Sequence, residues 1–197
     1  MNRTTKLKQC ILLLISIISI SVNVLNAQSL KLNSKTFGMT ILGTTNIHNF
    51  ESKVTQASGE LVVNSLKQVL SMIVEIPVKG IKSNEKLMDT KTYSAFQADK
   101  NPTIIFRSTE VNSLQVNGSD INVSVTGNMT IAGVTRKVTL KSTGKVVKPG
   151  VYEFKGNLPL KMTDFKMSPP TAMLGVMKVG DAVTLKYDVT FEGPAIN

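Results

Sequence analysis

At 197 residues, with Cys 1, His 1 and Trp 0, the chain is long enough for one well-buried domain but lacks the thiols and imidazoles for a disulfide framework or a paired-ligand metal site. Its 23 Lys+Arg against 13 Asp+Glu give a formal charge of +10, mostly scattered, and with so few aromatics the chain does not read as a nucleic-acid binder.

Residues 1–27 read as a cleavable signal peptide. Arg3, Lys6 and Lys8 precede the apolar run ILLLISIISISVNVL, and Ala27 offers a small residue before Gln28. Cys10 lies ahead of that run, so it is not the lipidated cysteine of a lipoprotein, and cleavage removes it. The expectation is an exported, periplasmic domain over 28–197. Without the three leader cations its net charge falls to about +7.

Period-two alternation then dominates the chain. GMTILG, ESKVTQASGELVV, LSMIVEIPV and PTIIFRSTEV read as strands, with Leu70, Met72, Val74, Ile76 and Val78 sharing one face of the third. In DINVSVTGNMTI, Ile121, Val123, Val125, Met129 and Ile131 face inward. AGV at 132–134 is a hairpin turn into a strand carrying Val134, Val138, Leu140 and Val146. Tyr152, Phe154, Leu158, Leu160 and Met162 line one face of the next strand, and Val183, Leu185, Tyr187, Val189 and Phe191 that of the last. Pro77 and Pro159 mark edges, bulges or strand ends, and Gly127, Gly133, Gly144 and Gly156 read as bulge or turn positions.

One segment, SNEKLMDTKTYSAFQADKNP, reads as helical: two short helices broken at Asp89-Thr90, with Ser83 as a cap and Pro102 as the stop. The fold class is therefore all-β with a small helical insertion. Strands of about ten residues favour an eight-stranded antiparallel barrel over a sandwich. Whether its Val, Ile, Leu, Met and Phe interior is solid or holds a ligand is open on composition.

The stretch DFKMSPPTAMLGVMKVGD, 164–181, departs from alternation. Phe165, Met167, Met173, Leu174 and Met177 read as an apolar flap or plug at the barrel mouth, stiffened by Pro169 and Pro170. Cu(I) ligation by Met162, Met167, Met173 and Met177 is disfavoured because their spacing forms no tight repeat. His48 has no histidine partner, so a structural role, with its ring hydrogen-bonded at a strand end, is expected of it rather than metal ligation or acid-base work. No G-x-S-x-G elbow, phosphate-binding glycine loop or acid cluster appears, which argues against an enzyme. The acid-free stretch 121–152, with Arg136, Lys137, Lys141, Lys145 and Lys148, is either a transient contact for an anionic membrane surface or, preferably, a solvated strand face.

GTTNIHNFES, the run MIVEIPVKGIKSNEKLMDTKTYSAFQADKNPTIIFRSTEV, the hairpin GNMTIAGVTRKVTL and the ending LKMTDFKMSPPTAMLGVMKVGDAVTLKYDVTF, in that order, resemble a YceI-like protein. The family usually carries an H-D-W-like run where this chain has His48, Asn49 and Phe50. The resemblance implies a lipocalin-like, periplasmic barrel that carries or sequesters a polyisoprenoid or similar long-chain amphiphile, such as a quinone precursor, with no cofactor, metal or catalytic residue. The expected ligand-binding residues are Met72, Val74, Met88, Tyr93, Phe96, Phe106, Met129, Ile131, Phe154, Phe165, Met167, Met173, Leu174 and Met177. Arg107, Lys166 and Lys178 are the candidates for an anionic headgroup. The alternative is a filled-core envelope module that binds a protein partner, and pairing of two barrels into a dimer stays open.

Overall fold

The computed structural model describes residues 27–64 and 68–195. The expected signal peptide, at 1–27, lies almost wholly outside them.

Eleven of the twelve strand segments form eight antiparallel paths in one closed ring. The first path is β1 (Gln28–Leu32) and β2 (Gly38–Thr45); the second is β3 (Asn49–Val54) and β4 (Ser58–Val63); the third is β5 (Val69–Pro77) and β6 (Ile81–Lys82). Each is one line of chain, because its two halves pair with the two halves of the neighbouring path in nearly the same register. β7 (Thr103–Asn117), β8 (Asp120–Ile131), β9 (Val134–Lys148), β10 (Val151–Lys161) and β12 (Met177–Glu192) complete the meander. β12 closes the ring by pairing with both β1 and β2. β11 (Thr171–Ala172) adds a short rung beside the start of β12. The expected eight-stranded barrel is the observed one; closure pairs every path on both sides over part of its length, while the second half of β7 pairs only with β8.

α1 (Lys86–Phe96) carries the chain from β6 to β7 at one end of the barrel, hereafter the helix end. It is one helix, not two. Asp89, expected to break it, instead accepts hydrogen bonds from the Ser83 backbone N–H (2.6 Å) and hydroxyl (2.8 Å), tying the first turn to the chain entering it. The helix ends at Gln97, which adopts the left-handed conformation, well before Pro102. The β7–β8 and β9–β10 turns lie at the opposite, hairpin end.

Two departures from simple alternation have local causes. Leu70 is the extra residue of a β5 bulge, since Val62 and Val63 pair with Ser71 and Val69, so it points outward and is exposed, while Met72, Val74 and Ile76 keep the inward phase. Pro159 falls where β10 has left β9, which it pairs only over Val151–Gly156, so its missing N–H costs no ladder bond on that side.

Candidate functional site

Closing eight strands into a ring encloses a cavity of about 740 Å³, and what keeps it open is written in the strand glycines. Phe50 lies over Gly43, Phe106 over Gly127, Phe154 over Gly144 and Tyr187 over Gly156; a Cβ at any of the four would fall within about 2.5 Å of a neighbouring ring atom or carbonyl. Each ring therefore lies against the wall of the next strand instead of across the lumen. Gly144 and Gly156 are ring seats within strands, not the bulge or turn positions expected; Gly127 is a ring seat that also lies at a β7–β8 bulge, where Ser108 pairs Gly127 and Glu110 pairs Thr126, and Gly133 is in a turn, with φ +77°.

The lining is almost wholly aliphatic, aromatic and thioether. The inward residues of β8 and β12 all contribute, as do Met72, Val74, Phe106 and Phe154. Tyr187 is buried in the wall, its hydroxyl 2.8 Å from the Ser142 hydroxyl and donating toward the Lys141 carbonyl. Burial pushes its phenol above the usual pKa, a rise the Ser142 hydrogen bond partly opposes.

The segment 164–181 divides. Phe165 and Met167, 3% and 6% exposed, enter the cavity lining together with Pro170. The turn carrying Phe165 is fastened by Arg136, whose Nε donates to the Asp164 carbonyl at 2.6 Å, and by Asp181, which accepts from the Thr163 N–H and hydroxyl. Those two bonds hold the Asp181 carboxyl below its ordinary pKa. Leu174, in the left-handed conformation, is instead fully exposed, and Val176 is exposed beside it. That part of the loop is clamped from below by Asn46, which donates to the Val176 carbonyl and accepts from the Lys178 N–H.

Of the residues expected at a ligand, Met72, Val74, Met88, Phe96, Phe106, Met129, Ile131, Phe154, Phe165 and Met167 are brought together around the cavity. Tyr93 is not a lining residue: its hydroxyl accepts from Lys82 Nζ at 2.6 Å and sits 3.1 Å from the Lys79 and Ile81 carbonyls, stapling α1 to the barrel wall. Leu174 and Met177 lie off the cavity, and the Met173 side chain is outside the described positions. The three headgroup candidates are also elsewhere. Arg107 points outward because Phe106 points in, and its guanidinium is 3.9 Å from Glu75. Lys166 is the exposed end of the Phe165 turn, and Lys178 is exposed on the Asn46 clamp. His48 is exposed; the bonds it makes are by its backbone, to Thr45, not by its ring.

Sequence reasoning missed five lining residues that matter: Ser52, Lys91, Leu114, Val116 and Lys161. A helical-face count would have found one of them, because Met88, Lys91, Thr92, Ala95 and Phe96 follow the i, i+3, i+4, i+7, i+8 spacing of a single face, and all five line the cavity. Among the described residues, no group of three or more His, Cys, Asp or Glu could hold a metal ion.

The model of the YceI-like domain matches residues 29–191, nearly all of the barrel. The chain belongs to the YceI-like family. It is 36% identical over 99 residues to a UPF0312 protein of Pseudomonas aeruginosa, and 44% over the same length to one of Pseudomonas paraeruginosa. Each of these alignments covers 47% of this chain and 49% of the relative, so the chain spans about half the length of the curated relatives it matches. Among solved structures it is similar to BcnA of Burkholderia cenocepacia, with TM-score 0.65 and 20% identity over 81% of this chain and 98% of that one. A polyisoprenoid-binding domain from Saccharophagus degradans superposes with TM-score 0.66 at 11% identity, covering 84% and 98%. The Campylobacter jejuni YceI protein gives 0.59 at 20%, covering 74% and 85%. At these identities the likeness concerns the barrel fold.

Proposed function

We propose that this protein is an exported, non-catalytic carrier or sequestering protein that holds the chain of a polyisoprenoid or similar amphiphilic lipid inside the barrel. The observation that carries this reading is the open apolar lumen of about 740 Å³, within the size range of small-molecule sites. A filled-core interaction module would pack that space to the density of other protein interiors. The polyisoprenoid-binding neighbour of the same fold and the membership of the YceI-like family support the ligand class.

The mechanism is burial. Each methylene moved from water into the lumen contributes about 0.8 kcal/mol, so a few isoprene units offset the cost of association. The rings seated on glycines keep a width free for a branched chain, and Met72, Met88, Met129 and Met167 conform to its methyl groups. Export to the periplasm by the leader at 1–27 places the carrier next to membranes that hold such lipids.

Native mass spectrometry of protein purified from its own envelope without detergent, followed by organic extraction, tests the reading. A co-purifying prenyl or acyl lipid near one per barrel is the expected result. A clean apo mass that stays unchanged after incubation with quinones and polyprenyl phosphates contradicts it.

A further inference from the structure

Not all the apolar surface at the plugged end is buried. Ile47, in the turn between β2 and β3, and Leu174 and Val176, in the loop before β12, are each more than half exposed. Asn46 ties the two loops together. Its backbone N–H donates to the Lys178 carbonyl at 3.1 Å, and its side chain donates to the Val176 carbonyl at 2.9 Å and accepts from the Lys178 N–H at 2.8 Å. Ile47, the next residue, thus adjoins the segment that carries Val176, and Leu174 is two residues away on that same loop.

Side chains of this kind ordinarily fold inward. Leu174 is kept from doing so by its own backbone, left-handed at φ 55° and followed by Gly175 at φ 89°. A leucine adopts that conformation only with strain. A strained leucine held in water, on a loop fastened by three hydrogen bonds to Asn46, marks a surface built for contact.

Charge decides what the surface fits. Arg136, Lys137, Lys161, Lys166 and Lys178 are exposed around this side of the plugged end, against the acids Glu51, Asp164 and Asp181. Lys161 lies near enough to Asp181 to help lower its pKa, so these two offset each other. The rest is a cationic excess, and Arg136, Lys137, Lys166 and Lys178 form no ion pair with any described residue. Exposed apolar side chains rimmed by free cations match an anionic bilayer: the tip enters the acyl boundary while the ammonium groups stay among the phosphates.

We propose that Ile47, Leu174 and Val176 form a tip that docks this protein on an anionic lipid bilayer, with Lys166 and Lys178 at the level of the phosphates. None of the three apolar residues lines the cavity, so the docking site is separate from the lumen and does not depend on what the lumen holds. The mouth lies at the opposite end, and docking leaves it uncovered.

A single reporter tests the site directly, because the chain has no tryptophan. Leu174→Trp in the mature protein is mixed with vesicles of equal parts phosphatidylcholine and phosphatidylglycerol at low salt. Its emission shifts to the blue and is quenched by lipids brominated along the acyl chain; with phosphatidylcholine alone neither occurs. Leu70→Trp, exposed on the outer wall toward the hairpin end, shows neither change with either vesicle. Co-sedimentation of the unlabelled protein gives the second readout. Leu174→Ser with Val176→Ser lowers binding to the anionic vesicles about 10-fold or more. Lys166→Gln with Lys178→Gln lowers it about 10-fold, and added salt weakens the wild type in the same way. Lys145→Gln with Lys148→Gln removes the same charge near the hairpin end and leaves binding unchanged. Absence of binding to the anionic vesicles, binding that the Leu174 and Val176 pair does not affect, or quenching in Leu70→Trp instead of Leu174→Trp overturns the proposal.

Discussion

The two ends of the barrel are built on opposite plans. At the helix end, Phe165 and Met167 are inserted and buried, α1 lies over the gap between β6 and β7, and the Thr163–Asp181 and Arg136–Asp164 bonds fasten the plug. At the hairpin end the strands simply turn, and two of the apolar residues that line the cavity, Leu114 and Val116, are also 39% and 55% exposed. Among the described residues, no other large exposed apolar side chain touches both the cavity and solvent. The lumen therefore has one end closed by packed side chains and one end where apolar lining residues meet solvent, a bottom and a mouth.

Substitution within the plug has the largest expected effect. Phe165→Ala leaves a cavity where a ring was packed and lowers stability by about 3–5 kcal/mol in urea unfolding, whereas Leu174→Ser, nine residues along the same loop, changes it by less than about 0.5 kcal/mol. Equal costs at the two positions would mean that the loop packs as a unit and that its division into buried and exposed halves is wrong.

Next in size is the wall that both ends share. A Cβ on Gly127 would stand 2.4 Å from the Arg107 carbonyl oxygen and 2.5 Å from the Phe106 ring, so Gly127→Ala destabilises by about 1–3 kcal/mol and pushes that ring into the lumen. Lipid capacity measured by native mass spectrometry falls with it. Unchanged stability and capacity would remove the account of why the lumen is open.

A smaller effect is read from pH. The Tyr187 phenol has its pKa raised above 10.0 in the folded chain, so its contribution is complete below the unfolded value and is lost as pH rises through the folded one. Stability of the wild type therefore declines above about pH 10, and Tyr187→Phe removes that component of the decline. Parallel curves for the two proteins at alkaline pH would contradict a buried, protonated phenol.

The smallest structural effect belongs to the mouth, where the readout is a rate. Val116→Asn leaves stability within about 0.5 kcal/mol but slows lipid transfer from phosphatidylcholine vesicles, while Val176→Asn at the plugged end slows nothing. Equal transfer rates for the two variants would erase the distinction between bottom and mouth.

Much of this architecture is legible in the sequence because the period of two is strict where one strand face is wet. The inward residues of β8 and β12 follow directly from alternation, and the helical insertion is found where the alternation stops. The reading fails where a residue's direction depends on a neighbour in space. Leu70 turns outward because it is the extra residue of a bulge, set by how β4 pairs with its strand, Asp89 reaches back to Ser83 instead of ending the helix, and Leu174 leaves the plug because its backbone is left-handed. The charged residues of the cavity are hidden for a related reason: Lys166 and Lys178 adjoin the apolar loop in sequence, whereas Lys91 and Lys161 reach the lining through a helix face and a strand end. The roles of the strand glycines were hidden too, since nothing local tells a turn glycine from one that seats a ring of the neighbouring strand.

The central claim is that an apolar chain lies along the lumen, and the dependence of affinity on tail length tests it most directly. Titration with prenyl phosphates of one, two, three, four and more isoprene units should show affinity climbing with each unit and then levelling once the tail reaches the rim at Leu114 and Val116. Affinity that is independent of tail length from the first unit onward would place the ligand outside the barrel and contradict the account.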